Sequence, residues 1–196
     1  MTTGRNRVCP VILAPFLDGR IRRWLQDPRK ILRPYIKEGM TVLDVGCGPG
    51  FFSIELARMV GNSGRVIASD LQEGMLQKLR GKIRGTELEG RITLHKSEKE
   101  RLGLSEGVDF VLAFYMVHEV PNKKIFLREV ASHLKPDGRF LIVEPKFHVS
   151  KPDFDKTLKV AQSAGLKQIS EPKILFSRAA LLKTVNDSNS MNIGNR

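Results

Sequence analysis

One junction constrains the fold more than any other part of the chain. Thr41-Val-Leu-Asp-Val45 is a short apolar run that breaks into Gly46-Cys-Gly-Pro-Gly50. Apolar residues then resume at 51, 52, 54, 56, 57, 59 and 60. The run reads as a buried strand, and the segment Phe51 to Val60 as a helix covered on most of its circumference. A strand, a glycine loop and a helix in this order form the place where doubly wound sheets bind nucleotide-type ligands. The spacing narrows the ligand. A dinucleotide loop, G-x-G-x-x-G, needs glycine at 46, 48 and 51, but residue 51 is Phe. A phosphate loop needs Gly-Lys-Ser/Thr, and none is present. The loop reads instead acid-x-G-x-G-x-G, with no lysine or arginine to face an anion. That pattern suits a nucleoside-type ligand that carries a cation and no phosphates. Asp70 closes the next strand, Arg65-Val-Ile-Ala-Ser69, where an acid can accept hydrogen bonds from both hydroxyls of a ribose.

Strands and helices keep alternating after this point. Glu73 to Arg84 carries Met75, Leu76, Leu79 and Ile83 at helical spacing. Ile92–His95 is a third strand, and Val108–Phe114 a fourth, apolar almost throughout as a strand covered on both faces should be. Lys123 to Leu134 reads as a helix, Pro136-Asp-Gly138 as a turn and Arg139–Val143 as a fifth strand. Repeated units of this kind predict a parallel sheet with helices on both faces. The end departs from the pattern. After a helix near Asp153–Ala164, only Glu171-Pro-Lys173 separates Lys167–Ser170 from Ile174–Lys183. A gap that short holds no crossover helix, so these two strands are expected to pair antiparallel.

With 196 residues the chain fits one domain. Residues 39–183 form the ligand-binding domain in this reading. Residues 1–38 form a basic N-terminal lid that selects the substrate, and 184–196 a polar tail. Two cysteines, Cys9 and Cys47, exclude a disulfide scaffold or a four-cysteine zinc site. His95, His133 and His148 lack ligand spacing, so no metal site is expected. The longest apolar run, Phe110–Val117, falls far short of the ~20 residues that span a bilayer. Val8–Leu17 behind Arg5 and Arg7 loosely imitates a signal peptide, but two prolines interrupt it and Asp18-Gly-Arg follows. A cytoplasmic chain is expected. Lys plus Arg is 33 against 21 acids, a net charge of +12. The lid holds nine of these bases against three acids, with Trp24 and Tyr35; Lys78–Arg101 is a second basic stretch. Three partners are open: RNA held by a basic aromatic lid, an acidic small molecule or an anionic membrane near a lipid quinone, or solvent alone.

Val42-Leu-Asp-Val-Gly-Cys-Gly-Pro-Gly50 resembles the first motif of class I S-adenosylmethionine-dependent methyltransferases. Leu134-Lys-Pro-Asp-Gly-Arg-Phe-Leu-Ile-Val-Glu-Pro145 resembles their strand-five signature. Val108 to Val120 is similar to the strand-four segment of the branch that includes the quinone-biosynthesis C-methyltransferases. The resemblance implies a Rossmann-like α/β fold: a seven-stranded, mostly parallel sheet with helices on both faces and the last strand antiparallel. It also implies in-line transfer of a methyl group from S-adenosylmethionine, without a metal, to a small-molecule or lipid-like acceptor, leaving S-adenosylhomocysteine. Two alternatives stay open: an RNA methyltransferase using the basic N-terminal segment, and a non-catalytic module that binds S-adenosylmethionine.

The same resemblance assigns site residues. Gly46, Gly48 and Gly50 would wrap the methionine part of the cofactor, with Cys47 filling the loop. Asp44 would support the loop and the amino group, Asp70 the ribose, and Leu71 and Met75 the two sides of the adenine. Where the family often has an Asp after strand three, this chain has His95-Lys-Ser-Glu98, so Ser97 or Glu98 would take the adenine amino group. Ala113 and Phe114 would contact the amino-acid end or the methyl. A base is needed only if the nucleophile loses a proton. The candidates are His118, Glu119, Tyr115 and Glu144. His118 fits proton transfer or a helix start; Tyr115 fits catalysis or a pocket wall; Glu144 fits catalysis or a structural hydrogen bond. The Asn-Pro-Pro-Tyr type motif of base-amino methyltransferases is absent.

Overall fold

The computed structural model describes residues 26–98 and 101–185. Seven strands form one sheet: β1 (Thr41–Val45), β2 (Arg65–Asp70), β3 (Ile92–Lys96), β4 (Val108–Phe114), β5 (Leu134–Pro145), β6 (Leu166–Ser170) and β7 (Ser177–Thr184). Their order is β3-β2-β1-β4-β5-β7-β6. All neighbours pair parallel except β7, which runs antiparallel to β5 and β6. Among the described residues five α-helices accompany the sheet: α1 (Pro28–Leu32), α2 (Ser53–Met59), α3 (Glu73–Ile83), α4 (Lys123–His133) and α5 (Lys151–Ser163).

The continuous apolar run of β4 is explained by the two faces. Phe110, Leu112 and Phe114 point to one side and pack with Leu32, Leu56, Leu76 and Leu79 of α1, α2 and α3. Val111 and Ala113 point to the other side and pack with Phe126, Leu127 and Val130 of α4 and Phe154 of α5. Each of the larger of these side chains contributes roughly 1.5–3 kcal/mol on burial. Residues 26–38 join this packing: Leu32 and Ile36 are buried, and the Tyr35 ring stacks on Phe110 at 5.7 Å.

Several boundaries differ from those the sequence suggests. The helix expected from Phe51 starts at Ser53, leaving both phenylalanines ahead of it. Helix α5 starts at Lys151 rather than near Asp153, because the Ser150 hydroxyl accepts a hydrogen bond from Asp153 N at 3.3 Å and Pro152 occupies the first turn. The turn expected at Pro136–Gly138 is a bulge inside β5, whose register with β4 jumps from Val108↔Leu134 to Phe110↔Arg139. Strand β7 begins three residues later than expected, and β5 continues to Pro145, which brings Glu144 into the sheet. Arg5, Arg7, Val8–Leu17, Trp24 and the tail from 186 on lie outside the described residues.

Candidate functional site

The carboxyl ends of β1, β2 and β4 meet at one edge of the sheet, and the glycine loop sits there. Gly46 N and Cys47 N both donate to Ser69 O, at 2.8 and 3.0 Å, tying the loop to β2. Buried Asp44, on β1, accepts a 2.6 Å hydrogen bond from the hydroxyl of Ser53, the first residue of α2. Lys82 of α3 donates to Pro49 O at 2.7 Å. The loop is therefore fixed from three sides.

The three glycines serve different ends. A Cβ on Gly46 would meet Met116 at 3.0 Å, and one on Gly50 would meet Leu79 Cδ1 at 2.3 Å. Those two let neighbouring side chains pack. Gly48 has nothing within 4 Å of a Cβ and a φ of +54°. It alone faces open space, which is what a ligand approaching the backbone requires.

Asp70 stands opposite. Its two carboxylate oxygens accept from Gly48 N (2.9 Å) and Gln72 N (2.8 Å). Burial pushes its carboxyl above the usual aspartate value, against the pull of the backbone donors at Gln72, Gly48 and Leu71 and the charge of Lys96. A buried carboxylate with remaining lone pairs at a cleft wall suits two neighbouring hydroxyls. Burial, and then the charges of Asp44 and Asp70, push the Cys47 thiol well above its ordinary value. That removes it as a nucleophile at neutral pH.

The cleft between these elements is lined by Asp44, Gly46, Cys47, Gly48, Phe51, Asp70, Leu71, Gln72, Met75, Ser97, Glu98 and Leu102. Phe52, Phe114, Tyr115, Met116, Glu119, Val120, Pro121 and Phe126 line it too. Among the described residues the lining holds four carboxylates, Asp44, Asp70, Glu98 and Glu119, and no lysine or arginine. Phe52, Phe114 and Tyr115 stand in a row with ring centroids 4.3 and 4.5 Å apart.

Tyr115 is held in the left-handed region at φ +61°. Its hydroxyl is hydrogen-bonded to the Ser177 hydroxyl at 2.6 Å and to the Gln26 side-chain amide, and Tyr115 N donates to Val143 O. Behind it, Val117–Glu119 forms one 3-10 turn rather than a helix start. Glu144 is 2% exposed. Its carboxylate accepts from His118 N at 3.0 Å and pairs with His118 Nδ1 at 2.6 Å. The other ring nitrogen, Nε2, lies 3.9 Å from the Glu119 carboxylate.

Most of the expected cofactor residues thus meet at one cleft. Gly50 and Ala113 do not line it: Gly50 packs on Leu79, and Ala113 lies in the core beneath α4. Of the proton-transfer candidates, Tyr115 and Glu119 line the cleft, while His118 and Glu144 stand behind Glu119. Met116, which follows β4 at the edge where ligands bind, lines the cleft as its position in the sequence suggests. Phe126 and Leu102 line it too, and the sequence does not point to either. Leu102 sits in a segment without periodicity. It is held there by His95, which bonds its carbonyl, and Glu129, which accepts from its N–H. Among the described residues no three His, Cys, Asp or Glu side chains are arranged to hold a metal, and no helix is long and apolar enough to cross a membrane.

A family model described as a methyltransferase domain matches residues 36–192. The ubiquinone/menaquinone biosynthesis C-methyltransferase UbiE of Haemophilus ducreyi is 33% identical over 121 residues, 61% of this chain and 45% of that protein. The demethylmenaquinone methyltransferase of Lactobacillus johnsonii is 36% identical over 110 residues, 56% of this chain and 45% of that protein. The chain spans about half the length of the curated relatives it matches. The crystal structure of an S-adenosylmethionine-dependent methyltransferase from Aquifex aeolicus superposes with a TM-score of 0.81 at 29% identity, covering 91% of this chain and all of that one.

Proposed function

The chain belongs to the methyltransferase-domain family and is a class I S-adenosylmethionine-dependent methyltransferase; from that premise we propose that its acceptor is a small, planar ring of the quinone type in its reduced, hydroquinone form, whose electron-rich ring carbon takes the methyl group and gives up a proton. The observation that carries this reading is the lining of the cleft among the described residues: the carboxylates of Asp44, Asp70, Glu98 and Glu119 together with a row of aromatic rings, Phe52, Phe114 and Tyr115. Four carboxylates disfavour a polyanionic acceptor such as RNA at this edge and favour a cationic cofactor. The curated relatives carry names that place them on quinone rings, and an aromatic wall is the surface such a ring would stack on.

The chain's residues fit S-adenosylmethionine. The open side of Gly48 would admit it against the backbone, and the Asp70 carboxylate would take the ribose hydroxyls. Leu71 and Met75 would flank the adenine, and Ser97 or Glu98 would meet its amino group. Asp44 fixes the loop beneath the amino-acid end through Ser53. When bound, S-adenosylmethionine supplies a methyl group that is already electrophilic.

The protein then has three tasks: to orient the acceptor, to exclude water and to remove a proton. Phe52, Phe114 and Tyr115 would hold the ring, and Met116, Val120 and Phe126 complete the apolar lining. The proton leaves by way of Glu119, which lines the cleft, towards the His118 ring behind it. The Glu144 carboxylate accepts from Nδ1–H, which leaves Nε2, the nitrogen nearer Glu119, to take the proton. Glu144 is a positioning residue in this scheme. The test is to supply methyl-labelled S-adenosylmethionine with host extract and separate RNA, protein, lipid and small-molecule fractions. Label in a quinone-type lipid or small molecule is expected; label in RNA would refute the reading.

A further inference from the structure

Two loops at the carboxyl edge of the sheet carry the most exposed large apolar side chains among the described residues. Phe147, just past β5, is 83% exposed; Leu175 and Phe176, just ahead of β7, are 54% and 57% exposed. The loops are fastened side by side. Lys146 N donates to Phe176 O at 2.9 Å, and Pro145 and Ser177 are register partners in β5 and β7. Phe176 has a φ of +57°, a left-handed conformation that is costly for a bulky residue. The fold holds that strain while leaving the ring in water, so packing does not explain it.

The patch adjoins the cleft. The Ser177 hydroxyl, bonded to Tyr115, donates to Leu175 O at 3.0 Å. Exposed Lys146 and Lys173 flank the patch, and no carboxylate among the described residues pairs with either. Glu171 is the one acid in segments 146–150 and 171–176. The whole chain carries +12. Three side chains on two loops offer well under the ~800 Å² per partner that a stable protein interface buries. A bilayer surface asks for no matching shape. It takes aromatic rings into the headgroup boundary and draws lysines to anionic lipids.

We infer that Phe147, Leu175 and Phe176 dock the protein on an anionic lipid surface, with Lys146 and Lys173 at the headgroups. Docking sets the Tyr115 wall of the cleft beside the bilayer. The inference concerns the surface and holds whether or not the acceptor is a lipid.

The test is co-sedimentation of the full chain with vesicles of phosphatidylcholine alone or mixed with phosphatidylglycerol. Binding of S-adenosylhomocysteine by calorimetry monitors the fold. The wild type is expected to bind the anionic vesicles and to release them as salt rises. Phe147→Ser should weaken partitioning about tenfold or more, and the double variant Lys146→Glu with Lys173→Glu should weaken it on anionic vesicles only. Phe176→Gly should weaken it while keeping or raising the melting temperature, since glycine takes this φ without strain. The inference is overturned by a wild type that ignores anionic vesicles or binds both compositions equally, or by Phe147→Ser binding unchanged. Loss of S-adenosylhomocysteine binding in these variants also overturns it, because the patch would then belong to the fold. So does a Phe147-dependent dimer, because the patch would then be an interface between copies.

Discussion

Replacing Asp70 with Asn separates the two jobs this residue is given. In the folded chain one carboxylate oxygen accepts from Gly48 N at 2.9 Å and the other from Gln72 N at 2.8 Å. An amide oxygen can keep one of these bonds; the amide nitrogen would face the other donor. One backbone N–H is lost, at about 1–3 kcal/mol. The loss is offset in part because the fold disfavours the charge: burial raises the Asp70 carboxyl above its ordinary value. The proton is held more tightly folded than unfolded. Stability from this group is therefore present below the unfolded value and lost as pH rises through the raised one. Removing the charge removes that loss, so the net stability change should stay under ~2 kcal/mol. Cofactor binding has no such offset. Losing a charge-assisted contact of about 1.5–3 kcal/mol should lower affinity for S-adenosylhomocysteine roughly ten- to a hundredfold. The acid limb is a second signature. Wild-type affinity should fall as pH drops through the raised Asp70 value, and the variant should lack that limb. Calorimetry across pH reads both quantities. Unchanged affinity, or an acid limb that survives in Asp70→Asn, refutes the assignment.

Three other outcomes are expected. Gly48→Ala should keep the fold, at about 1 kcal/mol for its positive φ, and lose S-adenosylhomocysteine affinity. Gly50→Ala should instead lower the melting temperature, because its Cβ would lie 2.3 Å from Leu79 Cδ1, and calorimetry with thermal melts distinguishes the two. Glu144→Gln should turn the His118 ring to the tautomer with hydrogen on Nε2 and lower kcat about 10²–10⁴-fold with cofactor affinity kept; turnover and nitrogen NMR of the ring check it. Cys47 should resist thiol reagents in the native state near neutral pH and react at once on unfolding, because burial holds its thiol up.

What the sequence revealed and what it concealed follow from the range of the forces involved. The glycine loop is local, so its backbone and its ligand class were readable from seven residues. The apolar run of β4 reported a strand covered on both faces, which α1–α3 and α4–α5 supply. The short gap after Ser170 implied antiparallel pairing, and β7 pairs antiparallel with β6. The bulge in β5 was hidden, since Pro136-Asp-Gly138 has the chemistry of a turn wherever it stands. The roles of Gly46 and Gly50 as packing sites for Met116 and Leu79 were hidden too, because both contacts cross between elements. The same holds for His118 and Glu144. They are 26 residues apart, and only the pairing of β4 with β5 brings them together.

Strand β7 connects features that look unrelated in the sequence. In a sheet that stopped at β5, Glu144 would end an edge strand and face water. A carboxylate in water would hold a histidine weakly. Strand β7 covers that edge, with Arg178 opposite Glu144 and Ser177 opposite Pro145, so the carboxylate is buried and its hydrogen bonds to His118 N and Nδ1 become the means of satisfying it. The first residue of β7 also anchors the Tyr115 hydroxyl, which fixes the aromatic wall. The residue before it is Phe176, so the chain that enters this strand must pass through the exposed patch. The reversal of the last strand is therefore a condition for the proton-transfer pair, the acceptor wall and the docking surface together. Changes at Ser177 should disturb the acceptor side of the cleft while sparing the Gly48–Asp70 side, which β7 does not touch.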